Sequence, residues 1–325
     1  MPQIYNFYDV QMGKSVIDDK TLAQIEALGK KYDAMGQDLS SYLDGLLYSD
    51  YLTYWDYVHL DTLLSLQTPR TDFPDEKIFI IYHQITELYF NLILNEQQQV
   101  IDRPDGDREI FLKRIRRINR YFDHLIDSFD VMLDGMDQEQ FLKFRMSLLP
   151  SSGFQSGQYR KIEINATDFY NLVPKHSKGK VKDTDPIEKQ YEFIYWKRGA
   201  TELASGKKTL TLRQFEKKYA AAFIQQANDV KTGTLYRQYC SFYRGDAEIV
   251  EALRQFDHKA NVLWPLAHLK STIRYLQKSP EDIKATGGTN WQKYLPPRHQ
   301  GIVFFPELWS EQEIADWGVH IKLDR

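Results

Sequence analysis

The stretch Phe79-Ile-Ile-Tyr-His-Gln-Ile-Thr-Glu-Leu-Tyr-Phe90 decides the fold class, because eight of its residues are Phe, Ile, Leu or Tyr and the pattern is that of a helix. Phe79, His83 and Glu87 are each four residues apart, so they share one face of that helix. An imidazole beside an aromatic ring on a mostly buried helix suits a ligand pocket. It equally suits a core histidine whose nitrogens are hydrogen-bonded to neighbours.

The composition of the 325-residue chain predicts a folded protein with a sizeable core, since 42% of the residues are hydrophobic and 27% are charged. A net charge of −3 gives no electrostatic reason to expect nucleic acid or a membrane surface as a partner. Aromatic residues reach 14%, which fits a pocket for a flat ligand. The single cysteine, Cys240, excludes an internal disulfide and a zinc site made of several cysteines. The sequence contains neither a signal-peptide pattern nor an apolar run near the ~20 residues of a membrane span, so we expect a cytoplasmic protein.

Helical spacing recurs along most of the chain, and no alternating strand pattern is present. We therefore predict an all-α fold, a single domain with a small polar and helical insertion. Residues 1–47 are interpreted as an N-terminal arm and helix that make inter-subunit contacts, and residues 48–325 as the main domain. A divergent insertion is expected at about 164–257, within which residues 174–210 are polar and predicted to be loop-like or mobile.

A long helix is predicted over 108–134, and one side of it carries the basic cluster Arg114, Arg116, Arg117 and Arg120. We interpret this cluster as a solvated face that pairs with acids of the same helix, such as Asp123 and Asp127.

The histidines do not have the spacing of a zinc helix, but two helices each carry a lone histidine. One proximal histidine is enough to hold a haem, because the porphyrin supplies the other nitrogens. His268 follows Trp264-Pro-Leu-Ala, and the hydroxyls of Ser271 and Thr272 lie three and four residues further on, where they could orient its ring. An ordinary helix histidine is the alternative. Pro265 either kinks this helix or begins it.

Arg145 lies four residues after Phe141, so one helix face offers an aromatic ring and a guanidinium together. Such a pair can pack a flat ring and bind a carboxylate through two parallel hydrogen bonds, although a surface ion pair is the common fate of such an arginine. Thr286-Gly-Gly-Thr289 is a flexible polar loop suited to closing over a ligand.

Taken together, these segments resemble the tryptophan 2,3-dioxygenase family. The resemblance is dense from about Tyr48 to Glu163 and from His268 to Trp309. The blocks that carry it, in the family's order, are Tyr54-Trp-Asp-Tyr57-Val-His-Leu-Asp61, Asp75-Glu76-x-x-Phe79-Ile-Ile-x-His83-Gln, Phe141-x-x-Phe-Arg145, Ser151-Ser-Gly-Phe-Gln-Ser156, His268, Thr286-Gly-Gly288 and Phe305-Pro-Glu-Leu-Trp309.

The resemblance implies an all-helical enzyme that holds haem b, forms a homotetramer built as a dimer of dimers, and uses O2 to cleave the indole C2–C3 bond of L-tryptophan to N-formylkynurenine. It implies His268 as the iron ligand and His83 as the distal catalytic residue that hydrogen-bonds the indole nitrogen. The remaining implied roles are ring packing by Phe79 and Phe141, carboxylate binding by Arg145, ammonium and carboxylate binding by Thr286, haem contacts by Ser152, Gly153 and Trp264, and substrate contacts by Tyr54 and Tyr57 of a neighbouring subunit.

The chain also departs from the family pattern. Two arginines that usually precede the proximal histidine are absent from Trp264-Pro-Leu-Ala-His268, the segment 269–285 is longer than usual, and Tyr89 and Phe129 stand where the family has tryptophan. These departures keep two alternatives open. One is a related haem-dependent oxygenase or hydroxylase that acts on another aromatic amino acid or indole. The other is a non-catalytic haem-binding sensor.

Overall fold

A computed structural model describes residues 17–48, 53–148, 155–201, 207–276 and 296–318. The chain divides into two compact units, residues 1–66 and residues 67–325. The predicted boundary after residue 47 stays a prediction.

The described residues of the first unit form four helices. They are α1 (Asp19–Ala34), α2 (Leu39–Tyr48), α3 (Tyr54–Tyr57) and α4 (Leu60–Leu64). The Asp18 carboxylate caps α1 by accepting a hydrogen bond of 2.7 Å from the Thr21 N–H. Leu46, Leu47 and Leu64 are exposed, and apolar side chains exposed in this number are typical of a surface that binds another surface. The inter-subunit role of this segment stays a prediction.

The second unit is also built from helices. They are α5 (Asp75–Ile101), α6 (Arg108–Asp127), α7 (Asp130–Leu133), α8 (Gln138–Phe144), α9 (Gly157–Ala166), α10 (Ile187–Tyr191), α11 (Tyr195–Gly199), α12 (Leu210–Asp229), α13 (Leu235–Gln238), α14 (Ala247–His258), α15 (Trp264–Leu276), α16 (Pro297–Gln300) and α17 (Glu311–Ala315). Within the described ranges the only β-type pairing is one isolated bridge between Thr201 and Lys208, so the predicted all-α class is confirmed. No helix in these ranges is both long and apolar enough to span a membrane.

Helix α6 forms because its apolar residues follow the helical period, and it is the centre of the core. Ile115, Ile118 and Phe122 are fully buried, and α6 packs between α5 and α14. The Asp107 side chain caps its start by accepting from the Ile110 N–H at 3.0 Å. The predicted helix over 108–134 is wrong in one respect: it is interrupted at Ser128, whose hydroxyl donates to the Leu125 carbonyl at 2.8 Å.

The predicted partners of the basic cluster are wrong. Arg114 and Arg117 both pair with Glu96 of α5 at 3.1 Å, and Glu96 is only 1% exposed. Arg116 pairs instead with Glu248 of α14 at 2.8 Å. These partners lie on the two helices that pack against α6. Tertiary packing therefore outweighs the local i,i+3 and i,i+4 pairing that the sequence favours.

The prediction of a loop-like or mobile segment at 174–210 is also wrong for its described part. Residues 175–201 fold into a 3₁₀ turn and the helices α10 and α11. Tyr191, Ile194 and Trp196 are buried in the main core. Lys197 is buried as well and pairs with Glu216 of α12 at 2.9 Å. A segment that is polar overall can still fold when its few apolar side chains all point to one side.

The helix that carries His268 is an extension of α14. A π-helical turn, Lys259–Leu263, joins α14 to α15, and Pro265 is the second residue of α15. Proline has no N–H, and the change from π-helical to α-helical hydrogen bonding occurs where that donor is missing. Pro265 therefore lies inside a continuous helical run, at the change from π-helix to α-helix, and the predicted alternative of a helix start is wrong.

A fully buried carboxylate fixes the C-terminal part of the chain to α14. Asp257 accepts hydrogen bonds from the Phe304 and Phe305 N–H groups at 2.8 and 3.0 Å, from the Trp309 indole N–H at 3.0 Å and from the Asn261 amide at 2.8 Å. Burial raises the pKa of Asp257 to about 6, although all four hydrogen bonds act to lower it.

Candidate active site

Helix α5 brings Phe79 and His83 together. Their ring centroids are 4.1 Å apart, and His83 Nδ1 lies 2.7 Å from the Phe79 carbonyl oxygen. A carbonyl oxygen can only accept, so Nδ1 carries the proton and donates it. The second ring nitrogen, Nε2, is then left as a hydrogen-bond acceptor. One helical turn thus sets both the orientation and the tautomer of this imidazole.

His83 is accessible to solvent and also surrounded by protein. The residue is solvent-exposed, yet the protein packed around it lowers the pKa of the imidazole by desolvation, against the opposing effects of the Phe79 carbonyl and Glu87. The lowered pKa keeps the ring neutral near pH 7.

Glu87, the third member of the predicted face, has a structural role. The Gln158 side-chain amide of α9 lies 2.8 Å from both its backbone oxygen and its carboxylate. The side-chain partner of Glu87 is therefore Gln158 of α9. Its carboxylate holds α9 against α5.

An aromatic wall lies beside this part of α5. The Phe79 ring is 6.2 Å from Phe141 and 6.0 Å from Phe144 of α8, and Phe141 is 4.8 Å from Tyr275 of α15. These rings belong to a second hydrophobic cluster, separate from the main core. The predicted proximity of Phe79 and Phe141 is present.

Arg145 directly follows α8, where a 3₁₀ turn, Arg145–Leu148, begins. It is 7% exposed, and burial lowers the pKa of its guanidinium. An arginine still carries its charge at such a position, because its ordinary pKa lies above 12. A buried cation one turn after Phe141 can bind the carboxylate of a ligand whose ring packs on that phenylalanine.

His268 lies on α15, within electrostatic reach of His83. Burial, followed by the positive charge that His83 would carry, lowers the pKa of His268 to about 4. The Phe129 ring stacks near it at 6.2 Å, and Trp264 packs against Phe129 at 4.7 Å. The Thr272 hydroxyl donates to the backbone oxygen of His268 at 2.9 Å. The predicted use of this hydroxyl to orient the imidazole is therefore wrong.

These residues fit a haem. An iron ligand must be a neutral imidazole, and desolvation keeps His268 neutral at ordinary pH. Neutral His83, the other imidazole of the pair, belongs to a different helix, and aromatic rings flank both histidines. Two neutral histidines on different helices, each beside aromatic rings, suit a flat macrocycle bound by one axial ligand.

Five predicted site residues cannot be added to this arrangement. Ser152, Gly153 and Thr286 lie outside the described residues. Tyr54 and Tyr57 belong to α3 of the first unit, where they are 71% and 73% exposed. Their roles stay predictions.

The sequence reasoning missed three aromatic residues that line this region. Tyr82 lies 5.8 Å from His83 and 5.6 Å from Phe129, and Phe144 closes the wall behind Phe79 and Phe141. Phe129 was noted only as a departure from the family pattern. Sequence spacing could have placed two of them at the site, because Tyr82 is next to His83 and Phe144 follows Phe141 by three residues.

Comparison with known proteins points to one family of enzymes. The model of the tryptophan 2,3-dioxygenase family matches residues 45–185. Proteins named tryptophan 2,3-dioxygenase from Ruegeria sp. (strain TM1040) and Bordetella pertussis are both 28% identical, over 81% and 80% of this chain and 92% and 89% of their own lengths. A protein of the same name from Bacillus anthracis is 27% identical over 81% of this chain and 92% of its own length. The chain is therefore similar to the enzymes of the tryptophan 2,3-dioxygenase family along most of its length.

Proposed function

We propose that this protein uses O2 and haem b to cleave the indole C2–C3 bond of L-tryptophan, giving N-formylkynurenine. His268 would hold the iron, and the haem would supply the centre that activates O2. We further propose that the protein acts in the cytoplasm as a homotetramer, with Tyr54 and Tyr57 completing the substrate site of a neighbouring subunit.

The roles of the chain's own residues follow from their chemistry. The indole N–H would donate to Nε2 of His83, since Nδ1 is committed to the Phe79 carbonyl. Phe79 and Phe141 would pack against the indole ring, and Arg145 would bind the carboxylate. These contacts would fix the reacting C2–C3 bond relative to the iron, so that the bound substrate is already oriented for the reaction. The aromatic walls also exclude water from the site.

The observation that carries the proposal is the state of His83. A neutral imidazole with an acceptor nitrogen turned away from its own helix matches a substrate that has one ring N–H. Phenylalanine and its simple analogues have no such donor. The site therefore favours an indole over a plain benzene ring.

Haem-loaded, reduced His83→Ala protein tests this assignment with L-tryptophan and with 1-methyl-L-tryptophan, which lacks the N–H. We expect the wild type to form N-formylkynurenine and to prefer L-tryptophan by about 2-fold to 13-fold, the range of one neutral hydrogen bond. The preference should vanish in the variant. An unchanged preference would contradict the role of His83, and no product from fully haem-loaded wild type would refute the proposed reaction.

A second candidate function is supported by the run Trp264-Pro-Leu-Ala-His268, in which the family's two arginines are absent. A haem-dependent enzyme with a changed proximal side could add one oxygen atom of O2 to a related aromatic amino acid, with an external two-electron reductant converting the second oxygen atom to water. Mass spectrometry of the product separates the two reactions, because cleavage adds two oxygen atoms and hydroxylation adds one.

A further inference from the structure

Three helix ends meet beside the aromatic wall. The C-terminal end of α15 meets the segment that joins α7 to α8, and the start of α8 meets the start of α5. The contacts at this junction are hydrogen bonds to the backbone, which fix helix positions more tightly than apolar packing alone.

Tyr275 of α15 and Gln138 of α8 each donate a hydrogen bond across the contact between α15 and the α7–α8 region. The buried Tyr275 hydroxyl lies within hydrogen-bond distance of two backbone carbonyl oxygens. One belongs to Met132 in α7, and the other, at 3.1 Å, belongs to Met136 in the segment that follows α7. In the other direction, the Gln138 amide lies 3.1 Å from the carbonyl of Arg274 and 3.5 Å from that of Tyr275. The carbonyls of Arg274 and Tyr275, in the last described turn of α15, thus receive a side-chain donor from α8. We call these contacts the Tyr275 clamp.

A second set of contacts joins α8 to α5. The Asp137 N–H donates to the Asp75 carboxylate at 2.6 Å, and the Asp75 N–H donates to the Gln140 side chain at 3.3 Å. Asp75 and Asp137 lie at the starts of their helices, where a negative charge also interacts favourably with the helix dipole. The start of α8 is thereby tied to both α5 and α15.

Each of the three helices carries part of the candidate site. His83 is on α5, Phe141 is on α8 with Arg145 just beyond, and His268 is on α15. Tyr275 also touches one of them directly, since its ring lies 4.8 Å from that of Phe141. The same side chain therefore orders α15 through its hydroxyl and supports the substrate wall through its ring.

We propose that Tyr275 is a positioning residue for the aromatic amino acid, and that the Tyr275 clamp sets the place of Phe141 and Arg145 relative to His268. This inference rests on the proposed function of the site. The hydroxyl remains a donor throughout the working pH range, because burial raises the pKa of Tyr275. The charged groups nearest to it are Arg274, Asp134, Asp75 and Asp137.

Tyr275→Phe isolates the hydroxyl, because it keeps the ring that packs on Phe141. Tyr236→Phe is the matched control: Tyr236 is also buried and donates to Glu307 at 3.1 Å, but its helix, α13, carries no candidate site residue. Each haem-loaded protein is titrated with L-tryptophan while the Soret band is followed, and KM and kcat are measured well below the melting temperature. Gln138→Glu removes the amide donor from the opposite side of the clamp and is the second variant.

We expect Tyr275→Phe and Gln138→Glu to retain haem and to weaken the L-tryptophan titration and raise KM by about 2-fold to 10-fold, with a smaller change in kcat. Tyr236→Phe should leave both values unchanged. Wild-type binding constants in both clamp variants, with only a lower melting temperature, would overturn the proposal. A wild type that responds to L-tryptophan but forms no product would refute the proposed reaction and leave this test valid. A wild type that shows no optical response would refute both.

Discussion

Replacing Asp257 with Asn tests how the buried carboxylate holds the C-terminal segment to α14. Asp257 is fully buried and receives four N–H donors, two on each oxygen. An amide keeps one oxygen and replaces the other with a donor, so two of the four donors lose their acceptor. Each unsatisfied buried donor costs about 1–3 kcal/mol, and the variant should be destabilised by about 2–6 kcal/mol.

The pH dependence of this loss has a definite sign. Folding raises the pKa of Asp257 from 3.8 to about 6, so the folded protein binds this proton more tightly than the unfolded chain does. Its contribution to stability is complete below about pH 3.8 and is lost as the pH rises through 6. The difference is about 3 kcal/mol, from about 1.4 kcal/mol per pH unit. Asn does not titrate, so the gap between wild type and Asp257→Asn should narrow as the pH rises from 4 to 7.

Urea unfolding at several pH values, followed by circular dichroism, measures both quantities. Asp123→Asn is the control, because it breaks only an exposed pair with Lys259 and should cost less than about 1 kcal/mol. A loss below 0.5 kcal/mol in Asp257→Asn would show that the four hydrogen bonds contribute little. A gap that widens with rising pH would mean that the folded protein prefers the ionised carboxylate, and the pKa argument would be wrong.

Two further predictions concern charged side chains. Arg145→Ala should raise KM for L-tryptophan by about 10-fold to 150-fold through loss of a charge-assisted pair, while binding of tryptamine, which lacks the carboxylate, should change much less. Equal effects on both compounds would exclude carboxylate binding. Glu96→Gln should lower the free energy of unfolding by about 1–3 kcal/mol, since Arg114 and Arg117 lose a buried partner, whereas Glu248→Gln on the surface should cost less than about 1 kcal/mol in the same urea experiment. Similar losses in the two glutamate variants would show that the burial of Glu96 adds nothing to the contribution of its ion pairs to the free energy of unfolding.

The helical class and the contact between Phe79 and His83 were predictable, because they depend on short-range regularities. Phe79 and His83 share a face by virtue of the four-residue spacing alone, and their rings are indeed in contact. The start of α6 could be predicted for the same reason, since Asp107 is a local cap. The resemblance to the family was likewise carried by ordered blocks of sequence.

The hydrogen-bond and ion-pair partners of charged side chains were not predictable in this way. Glu87 and the arginines of α6 each have acceptable local partners, but α9, α5 and α14 present other partners from far along the chain. The segment 175–201 was misjudged because its average polarity conceals a few apolar side chains on one side. The average polarity of a segment does not show which side its apolar side chains occupy, and that arrangement decides which side chains are buried.

The sequence by itself determined that this protein is helical, which residues share a helix face with His83, and which family the chain resembles. The tautomer of His83 is also a local matter, because the Phe79 carbonyl that accepts from Nδ1 lies one turn away on the same helix. Only the tertiary structure decided that His268 is desolvated enough to stay neutral, and that Tyr275 joins α15 to the wall of the site. The physical reason is that a helical period and the hydrogen bonds within one turn are properties of neighbouring residues. Desolvation and the docking of helix ends depend instead on atoms that are distant in sequence and adjacent only in the folded chain.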